Sequence, residues 1–445
     1  MKIAIVNQPF GTIPLPWTGQ GGSIDIWTYE VARRLAKSCD VTVYTRKDKG
    51  QKEVELDQNV RYRRIPTTFD EWYPRLSYIL KSLENKSITS AFARTVTHLF
   101  FFRVTNRPFF ASTLYYLHYA LQVAKDIRSE KCNIVHIFNF SQLAPIIRAF
   151  NPKTKIVLNM RCEWLTVLDQ RMIKERLRYV NLLIGCSGYI INSIRRSLPE
   201  FRERCTLPIE TNGVDVDVFV SKDARNEQKK NKEKQLLFVG RISPEKGLHV
   251  LLEAFQKVVE RYPETHLKIV GPIYGLLPRD FLLTLSNSKH IQNLSAFYDS
   301  TGNSYFSFLQ KQLSSLDIAN NVTFTGFVPN SKVLDYYQAA DILINPSFSE
   351  SFGRSLIEAM ACEVPVVATK IGGMQEIVEH DKTGFLVEPG DASALAEAIL
   401  CLILNEDLRK SMGKASRKRI VQLFSWEKVV ENLLCEYNNI CDVNV

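Results

Sequence analysis

Short β-branched runs, each followed by a longer amphipathic stretch, recur along this chain and begin again past its middle, the alternation of βα units that builds a parallel sheet. The first set reads KIAIV (2–6), VTVYT (41–45), RYRRI (61–65), NIVHIF (133–138), KIVLNM (155–160) and LLIGC (182–186). The second reads LLFVG (236–240), HLKIV (266–270), VTFTGF (322–327), ILINP (342–346) and VPVVAT (364–369). With 445 residues, the chain is too long for a single core and suits two domains of roughly 200 residues. Between the sets, KDARNEQKKNKEKQ (222–235) is polar and is expected to be an exposed linker or surface loop. The expectation is an α/β chain of two doubly wound domains facing each other across a cleft, with chemistry on the loops that follow the strands.

Composition removes several classes. Apolar residues make up 45% and charged residues 23%, which excludes collagen-like, disordered and disulfide-framework chains. The nine cysteines are scattered and form no CxxC pair, which argues for a reducing compartment and against a zinc module. No stretch of 18 apolar residues occurs, so the expected location is the cytoplasm, with peripheral attachment at the inner face of the membrane as a further expectation. That further expectation comes from charge: residues 1–205 hold 32 Lys and Arg against 17 Asp and Glu, whereas 206–445 hold 25 against 30. A basic first half suggests an anionic partner there.

The most informative stretch is SFSESFGRSLIEAMACEVPVVATKIGGMQEIV (347–378). Glu350 precedes a helix expected to begin near Gly353, and Glu358 follows eight residues later, roughly 12 Å along the axis. That distance matches the span from a sugar ring to a ribose across a diphosphate. Ser351, Phe352, Gly353 and Arg354 at the helix start would offer backbone N–H groups and the positive dipole end to the diphosphate. The loop VGRISPEKG (239–247) adds Arg241 and Lys246, two cations suited to a leaving diphosphate. Gly21 and Gly22 end a Gly/Pro-rich loop that runs into a helix at about Ser23, a second expected anion site.

Together these pieces resemble the retaining glycosyltransferases of family 4, which have the GT-B fold of two Rossmann-like domains, and they do so over almost the whole chain in the right order. Besides the Glu-x7-Glu signature, the sequence shows NGVD followed by Phe219, the GR…EKG loop, GFVP (326–329), IGG…E ending at Glu376, and TGFLVEPGD (383–391). The resemblance implies an N-terminal acceptor domain (1–208), a C-terminal nucleotide-sugar donor domain (209–426), and a closing helix (427–445) crossing back to the N-terminal domain. Apolar residues spaced by three and four in WEKVVENLLCEYNNI (426–440) fit such a helix.

The resemblance also implies roles. Glu350 and Glu358 would hold the donor sugar and the ribose, Arg241 and Lys246 the diphosphate, and Gly22 would approach a donor phosphate, with Gly21 beside it. Val328, in GFVP, would also line the donor site. His136, read as standing at the end of the fourth strand, would lie near the reacting sugar. Where family members commonly carry a His or Asp, this chain has Arg161, Cys162 and Glu163, so Arg161 and Glu163 become the acceptor candidates.

The implied reaction is retaining transfer from a nucleoside-diphosphate sugar to an acceptor hydroxyl on a glycolipid, a cell-envelope polysaccharide precursor or another glycan. The leaving phosphate would accept the acceptor's proton, and no metal or other cofactor is expected. Asp215-Val216-Asp217 has the form of a metal-binding DxD motif but falls inside the NGVD turn. The alternatives are a sugar-nucleotide epimerase or hydrolase of the same fold, which would turn over donor without acceptor, and transfer to a soluble small molecule. A nicotinamide oxidoreductase would need GxGxxG directly after the first strand and an acid ending the second, but Gly19 to Gly22 come late and the second strand ends in Thr45-Arg46. No nucleic-acid-binding module is recognised.

Two segments interrupt the alternation. Residues 72–128 interleave aromatics, Phe100, Phe101 and Phe102 among them, with Lys and Arg, as an interfacial membrane element would. Residues 272–316 form an insertion too long for a plain connection, expected as a mobile element near the donor cleft or, alternatively, as a small satellite core or a partner contact.

Overall fold

The computed structural model describes the chain except residues 18, 20, 73–74, 76–107, 206–210, 222–232, 274–281, 283–284, 286–287, 299–304 and 443–445. Most of the expected linker 222–235, Phe100–Phe102, Tyr274 and Phe281 therefore lie outside the described residues. The chain divides into two compact units: Met1–Cys186 with Ile190–Glu210 and Val430–Val445, and Ser187–Tyr189 with Thr211–Val429.

The first unit is built on a seven-stranded sheet. Its strands are β1 (Lys2–Val6), β2 (Asp40–Arg46), β3 (Val54–Asp57), β4 (Val60–Ile65), β5 (Ile134–Phe138), β6 (Lys155–Met160) and β7 (Leu182–Gly185), in the order β3-β4-β2-β1-β5-β6-β7. All neighbours are parallel except β3 and β4, an antiparallel edge pair that the sequence reading did not anticipate. Strands β1 and β5 are buried over nearly their whole length because helices cover both faces of a doubly wound sheet. The order reverses between β1 and β5, so Asn7 and Asn139 follow the strands at the switch point.

The second unit holds β8 (Lys234–Val239), β9 (Thr265–Val270), β10 (Val322–Gly326), β11 (Ile342–Asn345), β12 (Val366–Thr369) and β13 (Gly384–Val387), ordered β10-β9-β8-β11-β12-β13 and all parallel. Its main core joins the Leu248–Arg261 and Ala392–Leu404 helices to the inward side chains of β8, β9 and β11. Here the switch point lies between β8 and β11, whose carboxyl ends lead into the Arg241–Lys246 loop and the Glu350 loop. The last two residues of the expected 222–235 linker are already strand.

The insertion after β9 contains the helices Lys289–Asn293 and Tyr305–Ser315, with a 3-10 turn, Leu294–Tyr298, between them. Leu282, Ile291 and Leu294 close a small apolar cluster with Val250 and Phe348, and Phe297 and Tyr298 pack against it. In the described part of 72–128, Phe110 packs on Trp164, while Tyr115 stacks on Phe140. Tyr119 is fully buried and Trp72 is exposed. The aromatics from Phe110 to Tyr119 thus contribute largely to the core, which corrects the interfacial reading for that stretch.

Candidate functional site

In the second unit, the loops after β8 and β11 bring Lys246 and Glu350 together, Lys246 Nζ donating to Glu350 Oε2 at 2.6 Å. Both side chains are mostly buried, so this is a shielded ion pair rather than a solvated one. Gly247 ends the Lys246 turn at φ +69° against the Pro346 carbonyl, and Gly372, at φ +54°, lies so close to the Glu350 carbonyl that a Cβ there would stand 1.8 Å away. The close approach of backbone to backbone is what these glycines allow. Arg241 Nη2 donates to Glu245 Oε1 at 3.2 Å, and the Ser243 hydroxyl donates to the same oxygen at 2.5 Å.

Gly353, at φ +110°, caps the helix Arg354–Ala361 without a side-chain cap. Glu358 sits one turn into it and is almost completely buried. Its Oε2 accepts from the Tyr337 hydroxyl at 2.7 Å, and its Oε1 accepts from Arg354 Nε and Nη2 at 2.6 and 2.5 Å. Arg354 also donates to Asn330 Oδ1 at 2.7 Å, tying this helix to the start of the Asn330–Ala339 helix, just past half-buried Val328. Burial first, then the Glu358 charge, holds the Tyr337 phenol protonated, well above its usual range. A carboxylate oxygen has room for two hydrogen bonds, so Glu358 retains accepting capacity beyond these partners.

The remaining helix-start residues differ from expectation in one respect. Phe352 is buried, with its ring edge-on to Phe424 at 5.9 Å, so its contribution is packing. Its N–H points toward Glu350 Oε1 at 3.5 Å. The half-buried Ser351 carbonyl lies against Gly373. Glu376, the acid of the IGG…E stretch, accepts from the N–H groups of Gly188 and Tyr189 at 2.7 and 2.6 Å. Asp215 Oδ1 accepts from the N–H groups of Asp217 and Val218, so the DVD tripeptide uses its first carboxylate to close a turn.

The first unit corrects two expectations. His136 is not at a strand end: it is the third residue of β5 and fully buried, its Nδ1 2.6 Å from the Tyr437 hydroxyl on the closing helix, Trp426–Asp442. Burial, then the nearby Arg161 charge, pushes its imidazole well below the usual range, so it is neutral. A ring so enclosed cannot reach a sugar.

The anion site expected at Gly21 and Gly22 is taken by the chain's own carboxylate. The Ser23–Leu35 helix does begin there, but Gly22 N–H donates to Asp25 Oδ2 at 2.8 Å, and Asp25 Oδ1 accepts from Asn7 at 2.7 Å. A Cβ on Gly21 would stand 2.7 Å from Asp25 Cβ.

Arg161 does lie by the carboxyl ends of the central strands. Its guanidinium stacks 5.0 Å above Trp27, its N–H donates to Asn139 Oδ1 at 2.7 Å, and Glu163 starts the following helix, Trp164–Val167. On the opposite, amino-terminal edge of the sheet, a cavity of about 740 Å³ is lined by Arg128, Lys131, Lys153 and Lys155 and, among the described residues, by no carboxylate.

Sequence reasoning missed Tyr337, Asn330 and Glu245. Glu245 stood inside the quoted GRISPEKG loop, but its burial, and the side chains that meet Arg354 and Glu358 from another helix, are tertiary facts.

Residues 220–419 match the family model described as glycosyl transferases group 1. Over 99% of this chain and 96% of its own length, the D-inositol 3-phosphate glycosyltransferase of Corynebacterium urealyticum is 26% identical, and over 98% and 99% the spore coat protein SA of Bacillus subtilis is 24% identical. Among solved structures, Anabaena HepE in complex with UDP-glucose superposes with a TM-score of 0.65 at 18% identity, covering 99% of this chain and all of that one. The sucrose-phosphate synthase of Thermosynechococcus elongatus gives 0.66 at 19% identity, covering 99% of each. The fold is therefore GT-B, and the chain is a glycosyltransferase of that superfamily.

Proposed function

We propose that this glycosyltransferase belongs to family 4 and moves one sugar, with retention of anomeric configuration and without a metal, from a nucleoside-diphosphate sugar to a hydroxyl of a glycan or lipid-linked acceptor. The observation that carries the reading is that the loops after β8 and β11, with the helix that follows the second, hold Lys246, Arg241 and Arg354 together with the carboxylates of Glu350 and Glu358. Cations there offset the charge that develops on a departing diphosphate, the largest single electrostatic demand of the reaction. Glu350 accepts from donor-sugar hydroxyls and Glu358 from the ribose. The bound UDP-glucose of the Anabaena neighbour supports a nucleotide-sugar donor.

His136, enclosed and neutral, takes no part near the reacting sugar. The acceptor's proton passes to the leaving phosphate oxygen on the same face of the sugar, while the protein supplies position and field. Arg161, stacked on Trp27, and Glu163 serve the acceptor in the first domain. The cations around the 740 Å³ cavity of that domain favour contact with an anionic membrane, where a lipid-linked acceptor would reside.

The test screens UDP-, GDP- and ADP-sugars for thermal stabilisation, then follows the anomeric configuration of the product by NMR in the presence of chelator. A ligand that binds only the folded chain at 100 times its Kd stabilises it by about 2.7 kcal/mol. Inversion, or an absolute requirement for added divalent metal, refutes the mechanism. Donor turnover without acceptor points instead to a sugar-nucleotide epimerase or hydrolase.

A further inference from the structure

The insertion after β9 braces both loops that carry the donor site. Phe348, two residues before Glu350, stacks with the rings of His249 and His290, each centroid 5.6 Å away. His290 belongs to the insertion, and Phe348 N–H donates to the Glu245 carbonyl at 2.8 Å. The Glu350 loop is thus held from the insertion side and joined to the Arg241 loop.

Two buried polar atoms nearby are left over. Glu245 is 1% exposed, and its Oε1 holds Ser243 and Arg241 while its Oε2 has no hydrogen-bond partner among the described residues. Tyr298, at the end of the insertion's 3-10 turn, has a buried hydroxyl that also lacks one. Burial, then the Glu245 charge, raises the phenol's pKa, so Tyr298 stays a donor within the field of that carboxylate. An unmatched acceptor and an unmatched donor in one apolar setting are complementary.

We propose that Tyr298 is a positioning residue for the donor diphosphate: with donor bound, its hydroxyl donates to Glu245 Oε2 and fixes the carboxylate that aims Arg241. Once Arg241 turns its N–H groups to phosphate oxygens, Glu245 shares its charged partner, and a buried carboxylate then needs another donor. The insertion supplies it. This inference rests on the nucleotide-sugar reading of the site.

The experiment measures, by calorimetry on the full chain, the affinities of UDP, GDP and ADP and of the corresponding nucleosides for the parent, Tyr298→Phe, Glu245→Gln and the double variant. For the preferred diphosphate, Tyr298→Phe should weaken binding about three- to tenfold, the scale of one net hydrogen bond. It should leave the phosphate-free nucleoside unaffected and add nothing in the Glu245→Gln background. Equal diphosphate affinity in parent and Tyr298→Phe, an equal loss for the nucleoside, or an additive loss in the double variant would overturn the inference while leaving the donor reading intact. If the parent binds none of the three diphosphates, both fall.

Discussion

Lys246 and Glu350 meet at 2.6 Å although 104 residues separate them in sequence. Each stands on the loop that follows a strand at the switch point of the second sheet, so the sheet order brings the two loops together. On the proposed donor reading, a cation for phosphate is thereby kept next to a carboxylate for sugar hydroxyls, and a bound diphosphate would compete with Glu350 for Lys246.

Lys246→Met removes one of the charges expected to stabilise the departing diphosphate. Turnover should fall about 10²–10³-fold, as for the loss of a single transition-state donor. Steady-state kinetics with saturating donor checks this. A loss under threefold would mean that Lys246 is only a structural partner of Glu350.

Tyr337→Phe should destabilise the second domain by about 1–3 kcal/mol, because it strips a buried donor from Glu358 Oε2. Glu358→Ala should cost more, since it leaves both the Tyr337 hydroxyl and the Arg354 guanidinium without their partner. Urea unfolding monitored by circular dichroism measures both. A donor KM that rises in Tyr337→Phe with kcat unchanged would show that the hydroxyl aims the carboxylate as well as stabilising it.

The strand alternation and the Glu-x7-Glu spacing were legible because they are local: period and spacing within 30 residues reveal them. The β3 edge was not, since VELD is short and exposes Leu56, and β13 was hidden because its four residues sit inside TGFLVEPGD, quoted only for the family resemblance. Asp25 was visible as the acid three residues past Gly22, the capping-box position, and weighing it would have cancelled the phosphate site at that helix start. Nothing local signals the partnership of His136 with Tyr437, 301 residues away. A histidine in a run of apolar strand residues reads the same whether its ring faces a ligand or another helix.

Acid should destabilise the fold through two histidines. Burial depresses His136 well below its ordinary value and His249 to about 4. The unfolded chain binds protons at these sites near pH 6.5 while the folded chain does not. Stability is therefore fully present above that value and falls as pH drops through 6.5, by about 1.4 kcal/mol per pH unit for each histidine. Asp25 and Asp70, whose carboxyls burial raises, oppose the trend only nearer the carboxylate range. Thermal unfolding from pH 7.5 to 5.0 reads the slope, and His249→Asn should flatten it. A melting temperature independent of pH over that interval would contradict the assignment.

Gly372→Ala tests the close backbone approach behind Glu350. A side chain there meets both a left-handed φ of +54° and the Glu350 carbonyl oxygen at 1.8 Å. The strain alone costs about 1 kcal/mol or more, and relief must come from moving the Glu350 loop. Donor affinity should fall with stability. Should affinity hold while the melting temperature drops, the loop has relaxed away from the site rather than into it.

Contact with an anionic membrane is the last expectation. Part of the first domain's positive charge is spent internally: fully buried Arg64 donates to Glu55 and to the Ile13 carbonyl, and buried Arg176 to that of Ala111. Those cations cannot meet lipid. Arg128, Lys131 and Lys153 are different, since they are exposed around a cavity that no carboxylate lines among the described residues. Arg128 and Lys131 stand at the end of the Leu117–Glu130 helix, where they also complement its dipole, so their presence alone decides nothing. What separates the two roles is salt and lipid charge. Each Lys or Arg near an anionic surface contributes about 1 kcal/mol, an attraction screened beyond about 10 Å at 0.1 M salt. The chain should float with phosphatidylglycerol vesicles at low ionic strength, less at high, and not with phosphatidylcholine. Reversing charge at Arg128, Lys131 and Lys153 together should abolish flotation without shifting the melting temperature by more than a degree or two. If the parent stays with the soluble fraction under every condition, a soluble acceptor becomes the better reading; if the triple variant floats like the parent, the contact lies elsewhere in the first domain.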